Sequence, residues 1–387
     1  MRKIYLDHNA TTPLDPEVLE SMLPIFREVF GNPSSPHSEG RAARVQVDEA
    51  REKAAGLIGA HPSEIIFTSG GTESNNFAIL GTALAFSGKG RHIITCRTEH
   101  LSVLNPCRQL LEQGFQIETL PVDRQGRIDL DELKEKITDS TVLISIQHAN
   151  SETGTLQDID KIGEMARERG VLFHTDAVQS VGKIPVDLEA LPVDMLSISA
   201  HKLYGPKGVG ALFLRRGCPK LFSPVCGGSQ EKKRRGGTEN VPGIVGFGKA
   251  CELAELRLEQ GTMKRVAEIR DRLAQGIQNT VSDVEFFGHP QYCLPNTLGA
   301  GFEGAGGETL LIGLDMEGIA VSTGSACSSG SALPSHVLTS MDVPVDLVNS
   351  SLRFSLGWGN TAEEMDEVSE ALGRIVPENR KKKQAIL

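Results

Sequence analysis

The chain has 387 residues, 39% of them hydrophobic and 23% charged, with 41 Gly and 19 Pro. At that length roughly three quarters of the unfolded chain's surface is buried on folding, so neither disulfides nor a structural metal is required, and the composition excludes disorder, collagen and coiled coil. Forty basic against fifty acidic residues give a formal net charge of −10, which excludes broad nucleic-acid binding, because that depends on excess Lys and Arg to neutralise phosphates.

No apolar run approaches the ~20 residues of a membrane span, and the start MRKIYLDHNATTP lacks an apolar core before a cleavage site. The seven cysteines are scattered, with no C-x-x-C pair and no Cys/His cluster at zinc spacing. These features predict a cytoplasmic protein with reduced thiols, no membrane contact, no direct nucleic-acid partner and no metal.

From about residue 60 to 215, short β-branched runs alternate with longer amphipathic stretches, the signature of βαβ units. Strands are predicted at 64–68, 92–96, 116–120, 142–147, 171–175, 195–199 and 210–214, with helices such as 102–113 and 158–169 between them. Continuous runs such as VLIS and VLFH suit strands covered on both faces, so the class is α/β with a mostly parallel central sheet, whose ligands sit beyond the carboxyl ends of the strands. A long helix is predicted over 241–260. After it the order becomes α+β, with strands near 284–287, 296–302, 319–322 and 351–356, which places a domain boundary near 260. Thr361 and Glu364 form a capping box before the last apolar stripe, and the tail ENRKKKQ reads as a frayed, solvated charge run.

The residues that carry chemistry follow strands. SISAHKLYGPKG (197–208) runs a strand into a Ser, a His and a lysine, Lys202, suited to a Schiff base. In VLFHTDAVQS, Asp176 ends an apolar strand and Gln179 follows by three. FTSGGTESNN passes a strand through Ser69, Gly70, Gly71 and Thr72 into a helix, where glycines let backbone N–H groups reach a phosphate. Taken singly, each is equally a surface lysine, a strand-end carboxylate or a plain loop. Together they are what pyridoxal phosphate chemistry needs: an acid on the pyridine nitrogen keeps the ring an electron sink, and an amine captures the aldehyde.

With these motifs in view, the sequence resembles the cysteine desulfurases of the class V aminotransferase group. The resemblance runs through YLDHNATTP (5–13), FGNPSSPH (30–37), FTSGGTESNN (67–76), TEH (98–100), HTDAVQSVGK (174–183), SAHKLYGPKGVGAL (199–212), GGTEN (236–240), STGSACSSGS (322–331) and SLRFSLG (351–357). It implies a fold type I enzyme, with a large domain over 16–260 and a smaller α+β domain formed by 1–15 and 261–387. It implies pyridoxal 5'-phosphate as cofactor, L-cysteine as substrate, L-alanine as product and an enzyme persulfide handed to a sulfur-acceptor protein. The longer cysteine loop matches the branch that serves iron–sulfur scaffolds.

Carried over by motif, the resemblance makes Lys202 the cofactor lysine, with Asp176 on the pyridine nitrogen, Gln179 near the phenolic oxygen and His100 stacked on the ring as a proton shuttle. It assigns the phosphate to Gly71, Thr72, Ser199 and His201, with Thr238 supplied across a homodimer, and the substrate carboxylate to Arg353. On SLRFSLG, Ser351, Arg353 and Ser355 share one face and Leu352, Phe354 and Leu356 the other. Cys327 becomes the persulfide carrier, and its Gly/Ser-rich surroundings predict a flexible loop. In HANSETG the family has a second asparagine where this chain has Ser151, so a weaker contact to the cofactor oxygen is expected. Lys232, Lys233, Arg234 and Arg235 read as a solvated loop or a docking surface for an acidic partner. Two other activities are compatible with parts of the pattern: a selenocysteine lyase or aminotransferase, disfavoured for the latter by Cys327, and a non-catalytic sulfur carrier, disfavoured by the full set Lys202, His100 and Asp176.

Overall fold

The computed structural model describes residues 3–323 and 334–386, the last five of these by backbone alone. Cys327 and the loop around it lie outside the described residues.

The strands in chain order are β1 (Ile4–Tyr5), β2 (Ile65–Thr68), β3 (His92–Cys96), β4 (Gln116–Leu120), β5 (Thr141–Ser145), β6 (Leu172–Asp176), β7 (Met195–Ser199), β8 (Gly210–Leu214), β9 (Val284–Phe287), β10 (Thr297–Phe302), β11 (Ile319–Ala320) and β12 (Ser351–Ser355). Seven of them form one sheet in the order β2-β8-β7-β6-β5-β3-β4. β8 runs antiparallel to both its neighbours, and the pairs from β7 through to β4 are parallel. Alternate residues feed two different cores: Ile65, Phe67 and Ile94 pack on one face, and Ile66, Ile93 and Leu212 on the other. Burial on both sides explains why these strands read as unbroken apolar runs.

A separate core lies beyond residue 260. There β12-β10-β9 form an antiparallel sheet, and β1 pairs in parallel with β11, which brings the first residues of the chain to this second core. The apolar face foreseen for SLRFSLG is the one used, since Leu352, Phe354 and Leu356 are buried in it. The capping box is formed: Thr361 Oγ1 accepts from the Glu364 N–H at 3.3 Å, and Glu364 Oε2 accepts from the Thr361 N–H at 3.2 Å. The helix it starts, Ala362–Ile386, continues through the tail that composition reads as frayed.

The basic run after residue 231 is not simply a solvated loop. Glu231, Lys232 and Lys233 adopt left-handed φ values of 45, 57 and 65°, each costing a non-glycine residue roughly 1 kcal/mol. That turn inserts the Glu231 carboxylate into the protein, where it makes two bonds to Arg51, at 2.6 and 2.9 Å, and accepts the Phe67 N–H at 3.2 Å. Arg234 donates to the carbonyl of Ser63, and Arg235 pairs with Glu73 at 2.9 Å. Only Lys232 and Lys233 of the four bases are exposed. Removing one partner of a buried pair leaves the other charge uncompensated, so Arg51→Met is expected to lower the unfolding free energy by about 3 kcal/mol or more, read from the denaturant midpoint.

Candidate active site

The carboxyl ends of β2, β3, β5, β6 and β7 converge on a cavity of about 260 Å³. β2 delivers the chain through Gly70, at φ 147°, into the helix Gly71–Phe86, whose first turn carries no side-chain cap. Close approach explains two glycines here. A Cβ on Gly71 would stand 2.7 Å from Val178 Cγ2, and one on Gly210 would stand 2.8 Å from the Gly70 Cα. The uncapped N–H groups, with Thr72, Ser199 and His201 at the cavity wall, make a cradle for an anion.

Asp176 ends β6 and presents a carboxylate held from both sides: Oδ1 accepts the Val178 N–H at 3.0 Å, and Oδ2 accepts from Asn75 Nδ2 at 2.7 Å. The same Asn75 amide donates to Ser102 Oγ at 2.8 Å, and Ser102 contacts His100 Nδ1 through its hydroxyl at 2.7 Å and its N–H at 3.0 Å. A hydrogen-bonded chain therefore joins the carboxylate to the imidazole. Because Nδ1 accepts a backbone N–H, the neutral ring carries its proton on Nε2. Burial lowers the His100 pKa, Asp176 opposes this, and Lys202 and His336 reinforce it. Burial, then Lys202 and Lys207, lowers His201 to about 4, which leaves its ring neutral near pH 7.

Lys202 follows β7 and donates to the backbone carbonyls of Asn9 and, at 2.7 Å, Ala10. The Asn9 carbonyl also accepts from Gln179 Nε2 at 3.0 Å. Ser151 lines the cavity, and its backbone carbonyl accepts from Asn9 Nδ2 at 3.0 Å and from Arg353 at 3.3 Å. The cavity thus combines an anion cradle, a lysine amine and a strand-end carboxylate, a donor set that fits a phosphorylated pyridine aldehyde.

Nine of the expected residues share this cavity, from Gly71 and Thr72 through His100, Ser151, Asp176 and Gln179 to Ser199, His201 and Lys202. Two do not line it. Thr238 is exposed and lines a different cavity, beside Ser69 and Arg235. Arg353 has a side chain only 4% exposed, paired with Asp7 at 2.7 Å. Asn9, Asn75 and Lys183 are absent from the set the sequence predicts, because neutral amides and a lysine after a turn carry no signature of their own. Their signal was membership of YLDHNATTP, FTSGGTESNN and HTDAVQSVGK.

Glu99 lies behind the cavity, fully buried, its Oε1 accepting the Gln147 N–H at 2.6 Å. Burial is the largest influence on it, offset in part by that bond and reinforced by Asp176, and raises its pKa from 4.5 to about 8. A carboxyl that holds its proton more tightly when folded contributes stability that is complete below pH 4.5 and lost as the pH climbs to 8. Glu99→Gln, which copies the protonated acid, is therefore expected to show a smaller fall in melting temperature over that interval than the parent. Equal falls in the two proteins would count against this role.

The family model described as aminotransferase class-V matches residues 4–368. The chain is 52% identical over 379 residues to "Cysteine desulfurase IscS" of Dictyoglomus turgidum, covering 98% of this chain and 96% of that one. Among solved structures, a "NifS-like protein" superposes with a TM-score of 0.91 at 39% identity, covering 97% of this chain and 100% of the other. "SspA in complex with cysteine" superposes at 0.81 with 37% identity, over 92% and 99% of the two chains. The chain belongs to the class-V aminotransferase family, the fold type I group to which the strand-end site already pointed. Within that family it belongs with the cysteine desulfurases.

Proposed function

We propose that the protein takes sulfur from L-cysteine, releases L-alanine and holds the sulfur as a persulfide on Cys327 for an acceptor protein, with an iron–sulfur scaffold as the favoured acceptor. The observation that carries this reading is the meeting of Lys202, Asp176 and His100, from the ends of three different strands, beside an uncapped helix N-terminus. The SspA relative, whose title names bound cysteine, supports the substrate. The six described cysteines are all unpaired, which supports a reducing, cytoplasmic setting. Among the described residues no helix is long and apolar enough to cross a membrane.

Pyridoxal 5'-phosphate supplies, when bound, the aldehyde and the electron sink. In this reading the N-terminus of the helix Gly71–Phe86 holds its phosphate with Thr72, Ser199 and His201, and Asp176 takes the pyridine nitrogen. Gln179 faces the phenolic oxygen, with Ser151 beside it. Ser151 has one hydroxyl donor where asparagine would have two amide donors on a longer side chain, so Gln179 carries more of that contact. Lys202 waits with its amine oriented by two backbone carbonyls, and His100, neutral near pH 7, takes and returns a proton at Nε2. Arg353 suits a carboxylate through its planar fork, and Asp7 with the Ser151 carbonyl holds that fork until substrate arrives.

The balance of the sulfur step is simple. The cysteine C–S bond breaks, an S–S bond forms to Cys327, and the protons of the two thiols are conserved between alanine and persulfide. Both described segments flanking the Cys327 loop are tied to the site, since Ser322 exchanges two backbone bonds with Arg353 and His336 Nε2 contacts the Glu99 carbonyl at 2.9 Å. We assign residues 16–260 to the cofactor domain and 1–15 with 261–387 to the smaller one. A homodimer completes the reading. Phe26 and Phe30, 66% and 79% exposed, supply apolar surface for it, and Thr238 serves the partner's phosphate.

The purified protein is expected to be yellow and Lys202→Ala to lose that visible band, whereas Cys327→Ser keeps the band but forms no persulfide by mass spectrometry after cysteine is added. A colourless parent that cannot be reconstituted with the cofactor, or persulfide chiefly on another cysteine with activity retained, overturns the assignment. Sedimentation at assay concentration is expected to show a dimer, and an active monomer would remove Thr238 from the site.

A further inference from the structure

Behind Lys202 lies a second buried amine that the proposed chemistry does not use. Lys183 is 6% exposed, and among the described residues its nitrogen has two partners, both neutral amide oxygens: Asn9 Oδ1 at 3.0 Å and Gln179 Oε1 at 2.9 Å. No carboxylate pairs with it there. Its N–H groups supply one donor to each of these two acceptors. Burial, then Lys202 and Arg353, pushes its pKa well down. A small cavity of about 20 Å³, lined also by His8 and Lys202, adjoins it and has room for about one water molecule.

The arrangement bears on Gln179, whose amide could face either way. Its Oε1 is held by the Lys183 donor, while its Nε2 is held by the Asn9 carbonyl at 3.0 Å. Turned over, the amide would set oxygen against the Asn9 carbonyl and nitrogen against the Lys183 N–H, losing both bonds. With the orientation seen, one N–H of Nε2 is spent on Asn9 and the other is available to the cavity that Gln179 lines. We propose that Lys183 is a positioning residue that locks the Gln179 amide with its nitrogen toward the cofactor.

This inference rests on the cofactor reading above. A donor on the phenolic oxygen favours its ionised form; without it, the oxygen holds more tightly the proton it shares with the lysine nitrogen, so the visible band changes at higher pH. The charged and titratable groups around the pair are Lys202, Arg353 and His8 on the Lys183 side and Asp176, His100 and His201 on the cavity side. A change in midpoint must therefore be shown to pass through Gln179 rather than through these neighbours.

The experiment is a double-mutant cycle on the holoenzyme, following the pH midpoint of the visible band in the parent, Lys183→Met, Gln179→Ala and the double variant. Lys183→Met is expected to raise the midpoint by about half to one pH unit, the equivalent of one hydrogen bond, and to add nothing in the Gln179→Ala background. Should Lys183→Met not fold, Lys183→Ala, whose missing side chain enlarges the adjoining small cavity, is run through the same cycle with the same expectation. An unchanged midpoint in a variant that retains the band, or an equal shift in both backgrounds, overturns the inference. A parent with no band at all would instead refute the cofactor reading, so the two failures are distinguishable.

Discussion

Asn9 is bonded at every polar atom, and those bonds join parts of the chain that lie far apart in sequence. Its N–H donates to Ser355 Oγ, its Nδ2 to Thr297 Oγ1 and the Ser151 carbonyl, and its Oδ1 accepts from Asn296 and Lys183. Its carbonyl accepts from Lys202 and Gln179. One short side chain and its peptide thus connect β10 and β12 of the second core to the loops that follow β6 and β7 of the first. Because the network is buried, every unmet partner would carry a desolvation cost, which makes the relative placement of the two sheets specific. The position of Lys202 depends on it directly.

Within that frame, electrostatics divides the site. Lys202, Lys183 and Arg353 bring three basic groups close together, and they are tolerated by different means. Arg353 has Asp7 as counter-ion, Lys183 has only neutral acceptors among the described residues and a strongly lowered pKa, and Lys202 opens on the cavity. The acids divide similarly. Asp176 accepts two hydrogen bonds at the cavity wall, whereas Glu99, with a single backbone donor to it and no counter-ion among the described residues, holds its proton up to about pH 8. Low dielectric makes these differences large, since each missing partner shifts the balance between charged and neutral forms.

Reading the sequence located eleven of the twelve strands to within a residue or two and missed the two-residue β1; the buried central strands are apolar throughout, with ends marked by polar or glycine residues. It located Lys202, Asp176 and the Gly70–Gly71 turn for the same reason, since each sits where an apolar run stops, whereas His100 came from the family resemblance. What it read less well has a common physical cause. EKKRR looked like one charged surface, yet Glu231 is driven inward by the left-handed turn to meet Arg51 from a helix 180 positions away. Strand alternation puts Arg353 on the face opposite Leu352 and Phe354, but alternation is silent about Asp7, which reaches it from the other end of the chain at 2.7 Å.

By itself, then, the sequence determined what periodicity and local chemistry can encode: a doubly covered sheet, a second α+β unit, a capped last helix, and which motif residues could bind an anion, a pyridine and an aldehyde. Only the tertiary structure decided which of them share one cavity, that Arg353 is held by Asp7, and that Asn9 and Lys183 orient the residues that face it. The reason is that hydrogen bonds between amides and carbonyls hundreds of positions apart leave no periodic trace along the chain. They are specified by packing, and only the folded backbone brings their partners within 3 Å.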